Sequence, residues 1–251
     1  MHRERAVAEL RGVTVHVDTG RWSETVLRSV SFAVPEGRVT ALLGESGCGK
    51  SMLAAALTGS LPASAQRTGV VLLDGEPVVD QREWRRLRGK TIGFLPQEGV
   101  TAFDPGTDVG SQLRALRERH GGWSVEKACA AAQYPAEALS LLPEQHSSGQ
   151  IQRAALAAAI LPIPKLLVVD EPTASLDTAT AYAVWESLRT CADAGTAVLA
   201  ITHDVPKLLD LAIVDHMLFL RDGDLVAAGS PGSLRTLPDL YVQGFFSPLG
   251  T

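Results

Sequence analysis

The sequence predicts an α/β protein whose core is interrupted by a helical insertion. Short apolar runs of the buried-strand type recur along the chain, and one of them, "VTALL" at residues 39–43, leads through a glycine-rich loop into the helix-like "SMLAAALTG". Between about residues 98 and 161 the strand signals stop and helical patterns replace them. With 251 residues, of which 45% are hydrophobic and 20% charged, the chain can bury one sizeable core and a smaller second one.

Alternation and turn residues predict the strands in order. "VTVHV" and "VLRSVSFAV" alternate apolar and polar side chains, and Pro35 to Gly37 form the turn before residues 39–43. A hairpin is predicted in "HMLFLRDGDLVAAG", with Asp222 and Gly223 at its turn. The other predicted strands are residues 70–75, 91–95, 166–170 and 197–202.

Three helical pieces fill the middle of the chain. They are "GSQLRALRERH", "SVEKACAAAQ" and the alanine-rich run between Gly149 and Pro162. The basic run "REWRRLRGK" at residues 82–90 is interpreted as a solvated face beside a strand.

Composition argues against several classes of protein. A formal net charge of −5 gives no basic footprint, so nucleic acid is not expected as a partner. Three widely spaced cysteines without a C-x-x-C pair indicate neither a disulfide framework nor a zinc site, and they fit a reducing cytoplasm. The N-terminus has no apolar targeting segment, and prolines break "AALAAAILPIP" well short of a membrane span.

A phosphate-binding loop is predicted at "GESGCGKS". The segment fits G-x-x-x-x-G-K-[ST] and lies between a predicted strand and a predicted helix. Glycines allow successive N–H groups to face a phosphate at the positive end of a helix. Lys50 supplies a positive charge to the β- and γ-phosphates, and the Ser51 hydroxyl can ligate Mg²⁺. The predicted nucleotide-binding residues here are Gly44, Glu45, Ser46, Gly47, Cys48, Gly49, Lys50, Ser51 and Met52.

Polar side chains also follow two later strands. Asp170 and Glu171 end the apolar "LLVVD" run, at the edge where parallel sheets bind ligands. Asp170 suits the ligand sphere or the second shell of Mg²⁺, and Glu171 suits orienting or deprotonating a water for attack on the γ-phosphate. His203 follows the next strand, where it is either structural or a hydrogen-bond donor to the γ-phosphate.

In this order the motifs resemble those of the ATP-binding subunit of an ABC transporter, and the resemblance covers nearly the whole chain. Residues 44–51 correspond to Walker A, "LLVVD" to Walker B, and "ASLD" at residues 174–177 to the D-loop. The resemblance implies that Gln97 in "FLPQE" is the Q-loop glutamine, contacting ATP and Mg²⁺, that Glu171 is the catalytic carboxylate, and that His203 is the switch histidine.

"HSSGQ" at residues 146–150 occupies the place of the family signature Leu-Ser-Gly-Gly-Gln. The resemblance implies that Ser147, Ser148, Gly149 and Gln150 cap the γ-phosphate of an ATP held by the opposite subunit. Ser148 replaces a glycine, so two interpretations are open: a strained backbone that weakens this cap, or ordinary helical dihedrals that serine tolerates.

Three other departures from the family pattern stand out. His146 replaces the signature leucine, and "QEG" replaces the commoner Gln-Asp-Pro after the Q-loop glutamine. The aromatic residue that stacks on adenine is missing near Val17, and Trp22 either substitutes for it or is simply exposed.

The resemblance implies a P-loop ABC-type ATPase core, a mixed sheet with an antiparallel β subdomain, and an inserted helical subdomain. The core is expected to comprise residues 1–97 and 162–251, and the helical signature subdomain residues 98–161. The expected function is ATP hydrolysis coupled to solute import at the cytoplasmic face of the cell membrane.

The expected partners are a second, different ABC ATPase, two integral-membrane permease subunits and an extracytoplasmic solute-binding protein. "TAFDP" followed by "VGSQL", and "RLRGKTIGFLPQ", resemble the peptide and nickel importer group, and the chain length favours its shorter nickel or metallophore type. The alternatives are a soluble non-transport ABC ATPase and a nucleotide-binding module that does not hydrolyse ATP.

Overall fold

Two sheets organise the part of the chain that the computed structural model describes, residues 4–203 and 205–246. One is antiparallel, in the order β2-β1-β4-β5, and the other is mixed, in the order β10-β9-β3-β8-β7-β6. Their strands are β1 (Ala6–Asp18), β2 (Ser23–Pro35), β3 (Val39–Leu43), β4 (Ala65–Leu73), β5 (Glu76–Pro77), β6 (Ile92–Leu95), β7 (Leu166–Asp170), β8 (Ala197–Ile201), β9 (His216–Arg221) and β10 (Asp224–Gly229).

Helices cover the mixed sheet and fill the middle of the chain. They are α1 (Lys50–Thr58), α2 (Gln81–Leu87), α3 (Val109–His120), α4 (Val125–Ala131), α5 (Ser148–Ile160), α6 (Thr178–Asp193), α7 (Val205–Asp210), α8 (Pro231–Arg235) and α9 (Leu240–Phe246). Asp108, Ser124 and Ser147 cap α3, α4 and α5 by accepting backbone N–H bonds. None of the helices in the described ranges is long and apolar enough to cross a membrane.

The mixed sheet is buried on both faces because its central strands consist almost entirely of apolar residues. All five residues of β3 are buried, and alternate side chains of the strand enter two different cores. Leu43 lies in the core shared with α5 and α6, whereas Leu42 packs with α1 and the antiparallel sheet. The carboxyl ends of the parallel strands are thereby held rigidly at one edge of the sheet.

The structure confirms the predicted α/β class and most predicted elements. β3 and β7 have the expected bounds, and the hairpin turns at Asp222 and Gly223, both with positive φ. Helices occupy the middle segment as expected, at α3, α4 and α5. β1 is longer than "VTVHV" because it pairs on both sides, with β2 and with β4.

The prediction that residues 82–90 form a solvated face is confirmed for most of the run, but neither its helix nor its one buried side chain was predicted. The run lies largely in α2, whose Asp80 N-cap accepts from the N–H groups of Arg82 and Glu83. Its arginines are mostly exposed, but Trp84 is only 3% exposed and packs against the turn that ends α1. The buried Trp84 and the half-buried Leu87 therefore anchor a helix whose other residues are polar.

Gly59→Ala is expected to lower the free energy of unfolding by about 2–4 kcal/mol, combining left-handed strain with overpacking. Gly59 has φ 66°, and a Cβ there would lie 2.2 Å from the Trp84 ring. Urea denaturation measures the loss. Gly75→Ala is the matched control, since φ is 84° and nothing lies within 4 Å of its Cβ. Equal losses in the two variants would contradict the packing argument.

Candidate nucleotide-binding site

The predicted phosphate loop connects β3 to α1. Gly49 precedes the helix in a left-handed conformation with φ 108°, which glycine adopts readily. The Lys50 ammonium donates to the carbonyl oxygens of Gly44 and Glu45 at 2.7 and 2.8 Å. The lysine thus folds back over its own loop, which places a positive charge at the positive end of α1.

Asp170 ends β7 beside this loop. The Ser51 hydroxyl donates to Asp170 Oδ2 at 3.2 Å, and Asp170 is 6% exposed. Burial raises the pKa of the Asp170 carboxyl and neighbouring Glu171 adds to the rise, while the Ser51 hydrogen bond and the Lys50 charge oppose it. A buried carboxylate next to a hydroxyl is an arrangement that a hard cation would stabilise.

Glu171 and His203 contact each other across neighbouring strand ends. His203 Nδ1 lies 2.9 Å from Glu171 Oε1, and Nδ1 must carry the proton because a carboxylate only accepts. Glu171 has φ 48°, a left-handed conformation that costs a side-chain-bearing residue about 1–2 kcal/mol. Its N–H donates to Ile201 O at 2.9 Å, which helps to hold this backbone. Such strain is typical of functional positions.

These elements line one cavity of about 510 Å³. The structure brings the Walker A loop, Gln97, the Walker B carboxylates and His203 together there, although they are far apart in sequence. Cys48 is instead buried beneath the loop, where burial raises the pKa of its thiol. The lining residues are Val26, Gly44, Ser46, Gly47, Gly49, Lys50, Ser51, Met52, Gln97, Asp170, Glu171, Ala174 and His203.

Sequence patterns missed three residues at this site. Val26 lines the cavity, and so does Ala174, which the sequence assigned to the D-loop but not to the nucleotide site. The Tyr241 hydroxyl accepts from the Glu45 N–H at 3.3 Å and donates to Leu220 O at 2.7 Å, so α9 supports the phosphate loop. No short-range signal could have revealed Tyr241, because it lies 196 residues from Glu45.

Trp22, the candidate for an adenine-stacking side chain, does not line the cavity, and neither does Val17, near which the family aromatic is missing. Val17 is buried in β1, and Trp22 is 48% exposed in the connection to β2. Of the residues on β2, Val26 is the one that lines the cavity.

The signature residues form the start of α5. The Gln150 N–H donates to Ser147 Oγ at 3.2 Å, and the Ser147 N–H donates back to Gln150 Oε1 at 3.0 Å. Ser148 is the first residue of the helix and has no left-handed backbone, so the strained interpretation of this position was wrong. None of residues 147–150 lines the cavity described above.

Ser148→Gly is therefore expected to change the kcat of the assembled complex by less than about twofold, since first-turn propensities differ by only a few tenths of a kcal/mol. ATPase assays of the wild-type and variant complexes measure this kcat. Both complexes carry Glu171→Gln, which silences this chain's own site, so that the turnover reports the partner's site. A tenfold rise in turnover would show that serine weakens the cap.

His146 replaces the signature leucine with a polar anchor. Its Nδ1 lies 2.9 Å from Leu142 O, and its Nε2 lies 2.7 Å from the Tyr134 hydroxyl. The two rings stack with centroids 5.8 Å apart, and burial raises the pKa of Tyr134. His146, which directly precedes the Ser147 N-cap, is thus held by hydrogen bonds to Tyr134 and Leu142.

The family model described as "ABC transporter" matches residues 27–174. The chain belongs to the ABC transporter family. Among its relatives, the metal-staphylopine import system ATP-binding protein CntD of Staphylococcus aureus is 31% identical over 88% of this chain and 86% of the relative. The oligopeptide transport ATP-binding protein OppD of Mycobacterium tuberculosis is 34% identical over 84% of this chain and 36% of the relative.

Solved structures share the fold of this ABC ATPase. A dimeric bacterial ABC transporter cassette matches with a TM-score of 0.78 and 24% identity, over 89% of this chain and 98% of that one. An ATP-binding subunit of an ABC transporter matches with a TM-score of 0.79 and 23% identity, over 96% and 98% of the two chains.

The family membership confirms the predicted activity. The chain is an ATP-hydrolysing subunit of an ABC importer, and it binds ATP. The two alternatives, a soluble non-transport ATPase and a module that does not hydrolyse ATP, are not supported by these relatives.

Proposed function

We propose that the cavity residues perform Mg²⁺-dependent hydrolysis of ATP. Ser51, Asp170 and Gln97 all line the cavity, and their side-chain oxygens are hard donors that fit Mg²⁺. Within residues 4–203 and 205–246, no cluster of three or more His, Cys, Asp or Glu side chains could hold a metal, so phosphate oxygens would complete its ligand sphere. When bound, Mg²⁺ would neutralise phosphate charge.

Different residues of the chain have different roles in the hydrolysis. Lys50 and the loop N–H groups bind the β- and γ-phosphates at the start of α1. Glu171 orients the attacking water and accepts its proton, because its carboxylate is poorly exposed and lies at the cavity wall. His203 holds Glu171 through Nδ1 and reaches the γ-phosphate as negative charge shifts.

The site is completed by a second subunit. Residues of five of the family's motifs line this cavity, namely Walker A, the Q-loop, Walker B, the D-loop and the switch histidine, whereas the signature residues 147–150 do not. This separation is the observation that carries the proposal: Ser147, Ser148, Gly149 and Gln150 cap an ATP on the partner, and the partner's signature caps the ATP held here. The partner is a related but different ABC ATPase, as in the importer group that the sequence resembles.

The purified chain alone is expected to hydrolyse ATP poorly, because removing even one preorganised donor of a charge-stabilising set typically costs about 10²–10³ in kcat. ATPase activity is measured across a range of protein concentrations while light scattering reports the molecular mass. High turnover that is independent of concentration, in a chain shown to remain monomeric, would contradict the two-subunit site.

The remaining assembly follows from the importer assignment. The chain sits peripherally at the cytoplasmic face of the membrane, where it docks on two permease subunits. A solute-binding protein delivers the cargo to these subunits. Residues 1–97 and 162–251 act as the nucleotide-binding core, and residues 98–161 as the signature subdomain. Similarity to a metal-staphylopine and an oligopeptide system supports a metal chelate or a peptide as cargo. Uptake of labelled metallophore complexes and peptides by cells lacking this subunit would distinguish the two.

A further inference from the structure

Gln152 connects the signature helix to both sides of the Q-loop glutamine. The Gly99 N–H donates to Gln152 Oε1 at 2.9 Å, and Gln152 Nε2 donates to Pro96 O at 3.1 Å. Pro96 and Gly99 flank Gln97, so one side-chain amide holds the backbone before and after this residue. Gln152 is 4% exposed, and both bonds are therefore shielded from water.

The close approach depends on a glycine. A Cβ at Gly99 would lie 2.8 Å from Gln152 Cα, from its Oε1 and from Ile151 O. Gly99 stands where the family pattern more often has proline, which has no N–H to donate. The "QEG" departure thus provides both the space and the donor for the bond to Gln152.

Gln152 is also rigidly placed relative to the signature residues. It lies in α5 two residues after Gln150, which closes the capping box with Ser147. Ile151, Ala154 and Ala155 are buried in the main core on the same helix. A displacement of the start of α5 therefore carries Gln152 with it, and the two hydrogen bonds transmit that displacement to Gln97 in the cavity wall.

We propose that Gln152 is a positioning residue that couples Gln97, at this chain's own ATP, to the signature that caps the partner's ATP. The inference rests on the proposed two-subunit site. When Gln97 contacts the ATP in its own cavity, the Gln152 hydrogen bonds would favour closure of the signature on the partner's ATP. Closure of the signature would in turn favour the contact between Gln97 and its own ATP. Both sites would share one mechanical element, the Gln152 amide.

A double-mutant cycle on the assembled transporter tests this coupling. Gln152→Met keeps the length of the side chain and removes both hydrogen bonds, and it is expected to lower kcat about tenfold, the equivalent of about 1.4 kcal/mol. Because Gln152 acts through Gln97, the same change in a Gln97→Ala background is expected to have less than about a twofold further effect. Fully multiplicative effects would overturn the proposal.

Gln112→Met is the matched control. Gln112 also holds a loop through both ends of its amide, accepting from Asp104 N and donating to Asp104 O and Thr107 O, and these partners are not the residues that flank Gln97. This variant is expected to lose thermal stability like Gln152→Met and to keep its kcat. An equal fall in kcat for both glutamine variants would show that general loosening of the fold, not positioning, slows the reaction.

A second variant keeps the test decisive if Gln152→Met folds poorly. Gly99→Ala keeps the Gln152 amide but places a Cβ 2.8 Å from Gln152 Cα and Ile151 O, so it pushes the segment around Gln97 away from α5, and the same dependence on Gln97 is expected. Hydrogen exchange in the purified full-length chain should also quicken at the Gly99 amide in Gln152→Met. A Gln97→Ala complex with wild-type turnover would refute the role proposed for Gln97, and with it a role for Gln152 exerted through Gln97, while the two-subunit site would stand.

Discussion

Lys50→Ala is expected to abolish ATP-dependent transport and to lower ATP turnover of the assembled complex by about 10²–10³, the range found when a preorganised charge-stabilising donor is removed. The Lys50 ammonium is folded over the phosphate loop, where it contacts the carbonyl oxygens of Gly44 and Glu45. Alanine leaves only backbone N–H groups to face the phosphates, so binding weakens as well as hydrolysis. Nucleotide binding is measured by calorimetry and turnover by phosphate release.

Lys165→Ala controls for the loss of a positive charge. Lys165 pairs with Asp74 at 2.5 Å on the surface, and an exposed pair contributes little to stability. This control is expected to bind and hydrolyse ATP normally. Lys50→Arg should also be impaired, because a planar guanidinium cannot replace a compact ammonium within the loop. Wild-type uptake by Lys50→Ala would contradict the assignment of the phosphate loop.

Strands made almost entirely of apolar residues could be predicted closely from the sequence. β3 and β7 are buried on every residue, so their apolar runs coincide with their bounds. α2 was missed because its pattern is mostly basic, and Trp84 is the one fully buried side chain that attaches it to the core. A periodicity argument needs several buried positions, and α2 has one.

The motif residues at the site could be predicted because their signal is local in the sequence. The loop at residues 44–51 and the carboxylates after β7 derive their chemistry from a few adjacent side chains. The contacts of Tyr241 and Gln152 instead join residues that are 196 and 53 positions apart. Such pairs are set by how the elements pack, which the local pattern around either residue does not encode.

The sequence also could not predict the backbone dihedrals of Ser148. Replacing a glycine by serine changes what the backbone can tolerate, but the sequence does not say which conformation the position needs. The structure places Ser148 directly after the Ser147 N-cap, inside the first turn of α5. Serine fits this position without strain, so the departure from the family pattern leaves the helix start intact.

Glu171→Gln is expected to keep ATP binding and to slow hydrolysis by about 10²–10⁴, the usual contribution of general base catalysis. The amide preserves the shape of the side chain and still offers an oxygen to His203 Nδ1, which lies 2.9 Å from Glu171 Oε1. It cannot accept a proton from water. ATP should therefore persist in the closed dimer, which size-exclusion chromatography would detect as a shift towards the two-subunit form.

Glu186→Gln separates this effect from a general change of charge, since Glu186 lies exposed on α6 away from the cavity and should leave turnover unchanged. His203→Ala tests the other half of the pair. If His203 only holds Glu171 in place, its loss in a Glu171→Gln background should add less than about twofold, whereas direct contact with the γ-phosphate predicts a further, multiplicative loss. Equal turnover of Glu171→Gln and wild-type complexes would show that another group accepts the proton, and the strained backbone at Glu171 would then need a different explanation.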